Sequence, residues 1–264
     1  MMNKKALSII GVFCLGAVLF AGSMFGGNTA EAGLNDYGKV SEYSKMLADS
    51  YQSVNDYYIE TLSVDGLSDN QKKEYLTRDD VYAVGNNIVI SKEEVQQYTD
   101  FYLHDGESEA DAHQLAVKDA MERNALYVAA IQNGFSVTDE EIQEWLTELR
   151  TMLENDTTGV YQAALDGFDS EEAYWAYEYE VYRVDLPIQN YVSSLQQGVN
   201  VISEHGNYNS DTEAFNEMKH QLADEQNFKL IRRNPEQIIV EVKQLKTGCN
   251  NEKSDRGQKL LSLF

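Results

Sequence analysis

The residue types best suited to bond chemistry are scattered along this chain. Its four histidines are His104, His113, His205 and His220, and none lies three or four residues from another. Metal ligands on one helix need that spacing, so no metal site is assigned. There is no G-x-S-x-G, no phosphate-binding P-loop and no G-x-G-x-x-G. With 44 acidic residues, some carboxylates must fall near one another by chance, so no acid–base pair can be singled out. No catalytic residue and no cofactor is therefore assigned. What the sequence offers is apolar contact, with 17 tyrosines clustered at Tyr57-Tyr58 and from Tyr174 to Tyr182. Trp175, Tyr179, Tyr182 and Leu186 recur at steps of three and four and are the candidate peptide-binding residues. Tyrosine suits that task, because it presents a large apolar body and a hydroxyl at low entropic cost. A parallel stripe, Tyr177, Val181, Val184, Ile188, Tyr191 and Leu195, is assigned to the core. A helix apolar on two faces is either sandwiched within the fold or leaves one face for a partner. Pro187 lies inside this pattern and predicts a kink or a break.

The elements that must position this helix begin at Val81. Val81 to Val84 and Ile88 to Ile90 are β-branched runs around Gly85-Asn86-Asn87, which reads as a tight hairpin. Ser91 is an N-cap candidate, with Glu94 placed to reach back to the Ser91 amide. Val95, Tyr98 and Tyr102 follow at helical spacing. Ser108 is expected to cap a helix over Ala112 to Asn133, with Gly134 in the left-handed closing position. That cap explains Asp105 to Asp111 better than calcium does, since the spacing of an EF-hand is absent. Thr138 and Glu141 form a capping box for the next helix, whose stripe is Ile142, Trp145, Leu146, Leu149 and Leu153. Tyr161, Ala164, Leu165 and Phe168 make a short helix stopped by Gly167, and Asp169 or Ser170 caps the long aromatic helix.

The order hairpin, Ile90-Ser91-Lys92-Glu93-Glu94-Val95, a helix ending in Asn133-Gly134-Phe135, then Ser136-Val137-Thr138-Asp139-Glu140-Glu141-Ile142 resembles the N-terminal chaperone module of the SurA and PrsA foldase family. The similarity covers Val81 to Gly198. The family often carries Asn-Gly in the hairpin turn. Here the pair is Asn86-Asn87, and asparagine is the next best residue for the left-handed region. The resemblance implies a predominantly α-helical α+β fold with a small β-hairpin or sheet, and an aromatic helix that walls a groove for unfolded polypeptides. The family's parvulin domain needs on the order of 100 residues. Gly198 to Phe228 is far shorter and carries no pair of histidines around a strand core, so isomerase activity is not assigned.

Around this module lie four further segments. Lys4-Lys5 and the uncharged stretch Ala6 to Asn28 have the pattern of an export signal, followed by Ala30-Glu31-Ala32. Residues 1–33 are read as a signal peptide or a retained N-terminal membrane anchor; either places the rest outside the cytoplasm. Residues 34–80 are read as one amphipathic helix, Tyr37 to Leu62, with Asn70 to Asp80 as linker. Residues 199–245 are read as a helix from Thr212 and a strand pair, Phe228 to Ile231 and Gln237 to Val242. Residues 246–264 are a polar tail.

Length and charge bound the function. A chain of 264 residues with 42% hydrophobic residues can bury a sizeable core. Forty-four acidic against 21 basic residues give a net charge of −23, which argues against nucleic acid as a partner. Cys14 and Cys249 cannot form a disulfide framework. The expectation is an extracytoplasmic chaperone-like protein binding unfolded or exported polypeptides. The alternatives are a shortened peptidyl-prolyl isomerase and a membrane-tethered scaffold.

Overall fold

The computed structural model describes residues 37–48, 51–155, 159–202 and 211–231. The stretches read as a signal or anchor (1–33), as a second C-terminal strand (237–242) and as a polar tail, together with His205, lie outside these residues. In chain order the described elements are helices α1 (Tyr37–Ala48), α2 (Tyr51–Thr61) and α3 (Asp69–Tyr75), strands β1 (Val81–Val84) and β2 (Val89–Ser91), helices α4 (Lys92–His104), α5 (Glu109–Gln132), α6 (Asp139–Leu153), α7 (Val160–Leu165), α8 (Glu171–Ile202) and α9 (Asp211–Gln226), and strand β3 (Lys229–Leu230). The protein is predominantly helical with a small antiparallel sheet, an α+β arrangement.

Helix α5 runs through the middle. Ala112, Ala116 and Ala120 recur every four residues and are fully buried. Such small side chains let α4 approach closely along that face. Helices α8 and α9 also pack on α5, and β2 rests against its middle, Ile90 sharing a cluster with Ala116, Val117 and Ala120. Helix α2 lies on α8 and β2, with Val54 and Tyr58 each 1% exposed. Of the Tyr37-to-Leu62 stripe, Val40, Ser44, Leu47, Val54 and Tyr58 are buried, although they belong to two helices. Residues 70–80, read as linker, begin in α3. Its signal is Ser68-x-x-Gln71, a capping box in which Ser68 and Gln71 satisfy each other's amides.

The local capping chemistry forms largely as expected. Ser108 accepts from Asp111 N, and Thr138 and Glu141 form a complete box. At the end of α5, Gly134 has φ +83°, Phe135 N donates to Ala130 O and Gly134 N to Ile131 O. These are the two bonds of a Schellman closure. Helix α7 ends at Leu165, just before Gly167, and this glycine has a further role. A Cβ there would lie 2.2 Å from Ser44 Cβ, so the missing side chain is what lets the turn after α7 rest on α1. Helix α8 continues across Pro187, which is buried between Leu186 and Ile188. Packing on both sides offsets the lost backbone bond.

Two expectations fail at the hairpin. Asn86 and Asn87 do not adopt positive φ. Their polar groups are satisfied by neighbours instead. Asn86 N donates to Gln226 O at 2.7 Å, Asn87 N to Gln226 Oε1 at 3.0 Å, and Asn87 Nδ2 to Ser63 O at 2.8 Å. Tertiary hydrogen bonds hold the turn, so left-handed geometry is not needed. Glu94 does not reach back to Ser91. Ser91 Oγ still accepts from Glu94 N at 3.0 Å, but the carboxyl turns inward.

The sheet order is β2-β1-β3, with a register shift between Val81 and Ala83. Ala83 faces Leu230 and Val84 faces Lys229, so the C-terminal strand completes the sheet begun by the hairpin. Asn227, at φ 47°, turns the chain from α9 into that strand.

Candidate functional site

Helix α8 carries all four residues singled out from the sequence, and α6 lies antiparallel along them. Ile142, Leu146, Leu149 and Leu153 of α6 form one apolar cluster with Tyr182 and Leu186, which are 1% and 7% exposed. Trp175 and Tyr179 flank this seam and remain half-buried. The structure therefore brings the four residues together, with Tyr182 and Leu186 covered and Trp175 and Tyr179 at the margin. Helix α6 makes its principal contacts with α8, so a single helix supplies the cover.

The margin is aromatic beyond the expected residues. Trp175 lies 5.2 Å from Tyr174 and 6.3 Å from Tyr161, ring centre to ring centre. Trp145 meets Tyr182 edge-on at 5.8 Å. The polar handles of these rings converge on acids. Tyr179 OH donates to Asp139 Oδ1 at 2.8 Å. Trp175 Nε1 donates to Glu171 Oε1 at 3.3 Å, and Tyr161 OH to the same oxygen at 3.4 Å. Arg150 also bonds Glu171 and places its guanidinium carbon 5.5 Å from the centre of the Trp175 ring. Sequence reasoning missed Arg150, Tyr161 and Glu171. Only Glu171 had a local signal, four residues before Trp175.

A neighbouring face of α8 is buried and charged. Asp185 accepts from Arg123 Nη2 at 2.7 Å, and both side chains are almost fully buried. The Arg123 guanidinium carbon lies 4.8 Å from the Tyr58 ring centre. The Tyr58 hydroxyl donates to Glu94, and Asn124 Nδ2 lies 2.9 Å from the same carboxylate oxygen. Burial pushes the Glu94 carboxyl up to about 7, against the Tyr58 hydroxyl and the Arg123 charge. Glu178 is 0% exposed, with the Tyr174 hydroxyl as its hydrogen-bonding neighbour. Burial raises it to about 8; the nearby Tyr174 hydroxyl opposes this, and the negative charge of Asp185 adds to it.

A second buried pair holds α9 to α5. Lys219 Nζ lies 3.3 Å from Glu122 Oε2, with both side chains within 3% of full burial. Burial lowers Lys219, with Glu122 opposing. Asp119 is bonded by the Tyr102 hydroxyl, and burial raises its carboxyl to about 7. His220 lies 3.7 Å from Glu122 Oε1, His104 3.4 Å from Glu42, and His113 3.2 Å from Tyr82 OH. Each imidazole stands with a different partner.

These buried groups link five helices, and the aromatic margin is the part that meets solvent. The margin is suited to contact: rings, acids and one arginine on a surface. Among the described residues, no group of His, Cys, Asp and Glu is arranged to hold a metal ion, and no helix is long and apolar enough to cross a membrane. No family model matches the chain, and neither the curated proteins nor the solved structures hold a significant match to it.

Proposed function

We propose that this chain is an extracytoplasmic chaperone-like protein that binds unfolded or exported polypeptides through the aromatic face of α8. The observation that carries the reading is the row Trp175, Tyr179, Tyr182 and Leu186, gathered on one face, with Tyr182 and Leu186 under α6 and Trp175 and Tyr179 half-buried at its margin. The ordered resemblance to the SurA and PrsA chaperone module supports it, and the signal pattern at 1–33 supports export.

Magnitudes decide how such contact would begin. Exposing the four buried α6 side chains costs about 6–12 kcal/mol. At the lower figure, fewer than about one molecule in ten thousand has α6 detached. First contact therefore falls to the half-buried margin. A client gains access to Tyr182 and Leu186 only by burying comparable apolar surface in place of α6. Binding of this kind needs no nucleotide and no cofactor.

The test is suppression of aggregation of a chemically denatured client diluted into buffer with the protein in excess. Suppression that weakens in Trp175→Ala/Tyr179→Ala is expected. Absence of both suppression and peptide binding removes the reading.

A second reading, a membrane-tethered scaffold, is favoured by how little apolar surface is open. The large exposed hydrophobic residues among those described are Val64, Leu76 and Leu103, which are far apart in sequence. Monomers without a docking role have only such scattered residues. Crosslinking in the native host separates the two, since a scaffold yields one stoichiometric partner and a chaperone yields many clients.

A further inference from the structure

We propose that Glu171, Trp175 and Tyr161 form a seat for a cationic side chain of a basic, arginine-bearing polypeptide segment, and that Arg150 fills this seat in the free protein. The inference rests on the chaperone-like reading and names the class of client.

The seat has the three parts that guanidinium recognition needs. Trp175 offers a ring face, and Arg150 already stands against it at 5.5 Å. Attraction of a cation to the indole face is strongest when water is partly excluded. Glu171 supplies the anion, bonded by Arg150. Trp175 Nε1 and Tyr161 OH, at 3.3 and 3.4 Å, orient the same Glu171 oxygen. An arriving arginine would meet an acceptor already aimed and a ring already placed.

Arg150 is a replaceable occupant. Its side chain is 49% exposed and that of Glu171 43%. An ion pair that open to water is screened and contributes little. Arg150 has a second acid to move to, because its Nε already lies 3.3 Å from Glu154 Oε1. Displacing it therefore leaves no buried charge unpaired. The buried pair Arg123–Asp185 on the other face of α8 has no such freedom.

The surroundings favour a basic arrival. Between residues 135 and 195 the only basic side chains are Arg150 and Arg183. Arg183 is bound to Asp56 at 2.9 Å and to Glu180. Around the seat, Glu144, Glu148, Glu154, Asp169 and Glu172 are exposed. Their combined field attracts a cationic segment and repels an acidic one.

The chain has two tryptophans, so Trp145→Phe leaves Trp175 as the only indole reporter. In that background, three unstructured peptides of equal length and apolar content are titrated: arginine-rich, glutamate-rich and uncharged. The arginine-rich peptide is expected to change Trp175 emission saturably, and to bind more weakly as salt is raised. Arg150→Ala should tighten it about two- to fivefold, the loss of one exposed cation–ring competitor. Glu171→Gln should weaken it by at least as much. Equal binding by Glu171→Gln and its parent overturns the seat and leaves only diffuse attraction to an acidic surface. Weaker binding by Arg150→Ala also overturns it, because Arg150 would then be a contact and not a competitor. If all three peptides bind alike, the basic preference is wrong and the chaperone-like reading stands. If none binds, that reading falls as well.

Discussion

On one face of α8, Asp185 is paired with Arg123 and Glu178 is sealed from solvent; on the other, Tyr182 and Leu186 lie under α6 beside half-exposed rings. The two faces belong to one helix and to one stretch of sequence. The charged face joins α2, α4, α5 and α8 through directional bonds among Arg123, Asp185, Tyr58, Glu94 and Asn124. The apolar face joins α8 to one neighbour through contacts without direction. A charged seam penalises any partner but the correct one, since each unmet group costs several kcal/mol. A greasy seam accepts substitutes. The difference suggests a division of labour in which one face fixes the fold and the other can exchange its cover.

The largest expected effect tests the seam. Arg123→Met leaves Asp185 buried without its cation, and should cost about 3–5 kcal/mol of global stability. Urea denaturation of the variant measures it, and a loss below about 1 kcal/mol would mean the seam is wetter than described. Leu149→Ala should cost about 2–5 kcal/mol, but in a different way. Its amide exchange should accelerate across α6 before α5 or α2 is affected. Uniform acceleration would erase the distinction between the two faces.

Glu178 gives the same comparison a pH axis. Its folded carboxyl is raised to about 8, so its stabilising contribution is complete below the ordinary glutamate range, near 4.5, and is lost as pH rises through about 8. The melting temperature should fall across that window, and Glu94 and Asp119, each raised to about 7, should add to the fall. Glu178→Gln should flatten the curve by roughly 5 kcal/mol between its ends. An unchanged slope would assign the decline to repulsion among surface carboxylates instead. Smaller still, Thr138→Ala removes the α6 cap at a cost of about 1 kcal/mol, visible as earlier exchange at the first turn of α6. Arg150→Ala should lower stability least, by about 0–1 kcal/mol in urea denaturation, as fits an exposed pair.

The local devices were legible in the residues. Ser108, Gly134 and the Thr138–Glu141 box announced where helices start and stop, because capping chemistry acts within four residues. The hairpin and the aromatic spacing on α8 were legible for the same reason, since periodicity is a property of neighbours in the chain. Ser68 and Gln71 carried the same signal for α3, unused because the residues after them are polar. The role of Asn86-Asn87 was not legible. The partners of Asn87, Ser63 and Gln226, are 24 and 139 residues away, and no local rule predicts a turn stabilised from such a distance.

The site divides in the same way. Trp175, Tyr179, Tyr182 and Leu186 could be named from spacing alone. That α6 covers two of them could not, because an apolar stripe specifies burial without specifying the partner. Nor could the sequence distinguish Glu94, Glu178 and Asp185 from the other carboxylates. Their character comes from desolvation, which depends on what packs around them.

By itself, then, the order of residues set the caps at Ser108, Gly134 and Thr138, the hairpin, the strong negative charge and the two-faced character of α8. All of these arise from interactions between groups a few positions apart or from simple sums over the chain. Only the folded arrangement decided which acids lie away from water, which asparagines hold the turn, and which arginine meets Trp175. Those outcomes depend on contacts between distant segments, and the free energy of a buried charge or a covered ring exists only once its neighbours are in place.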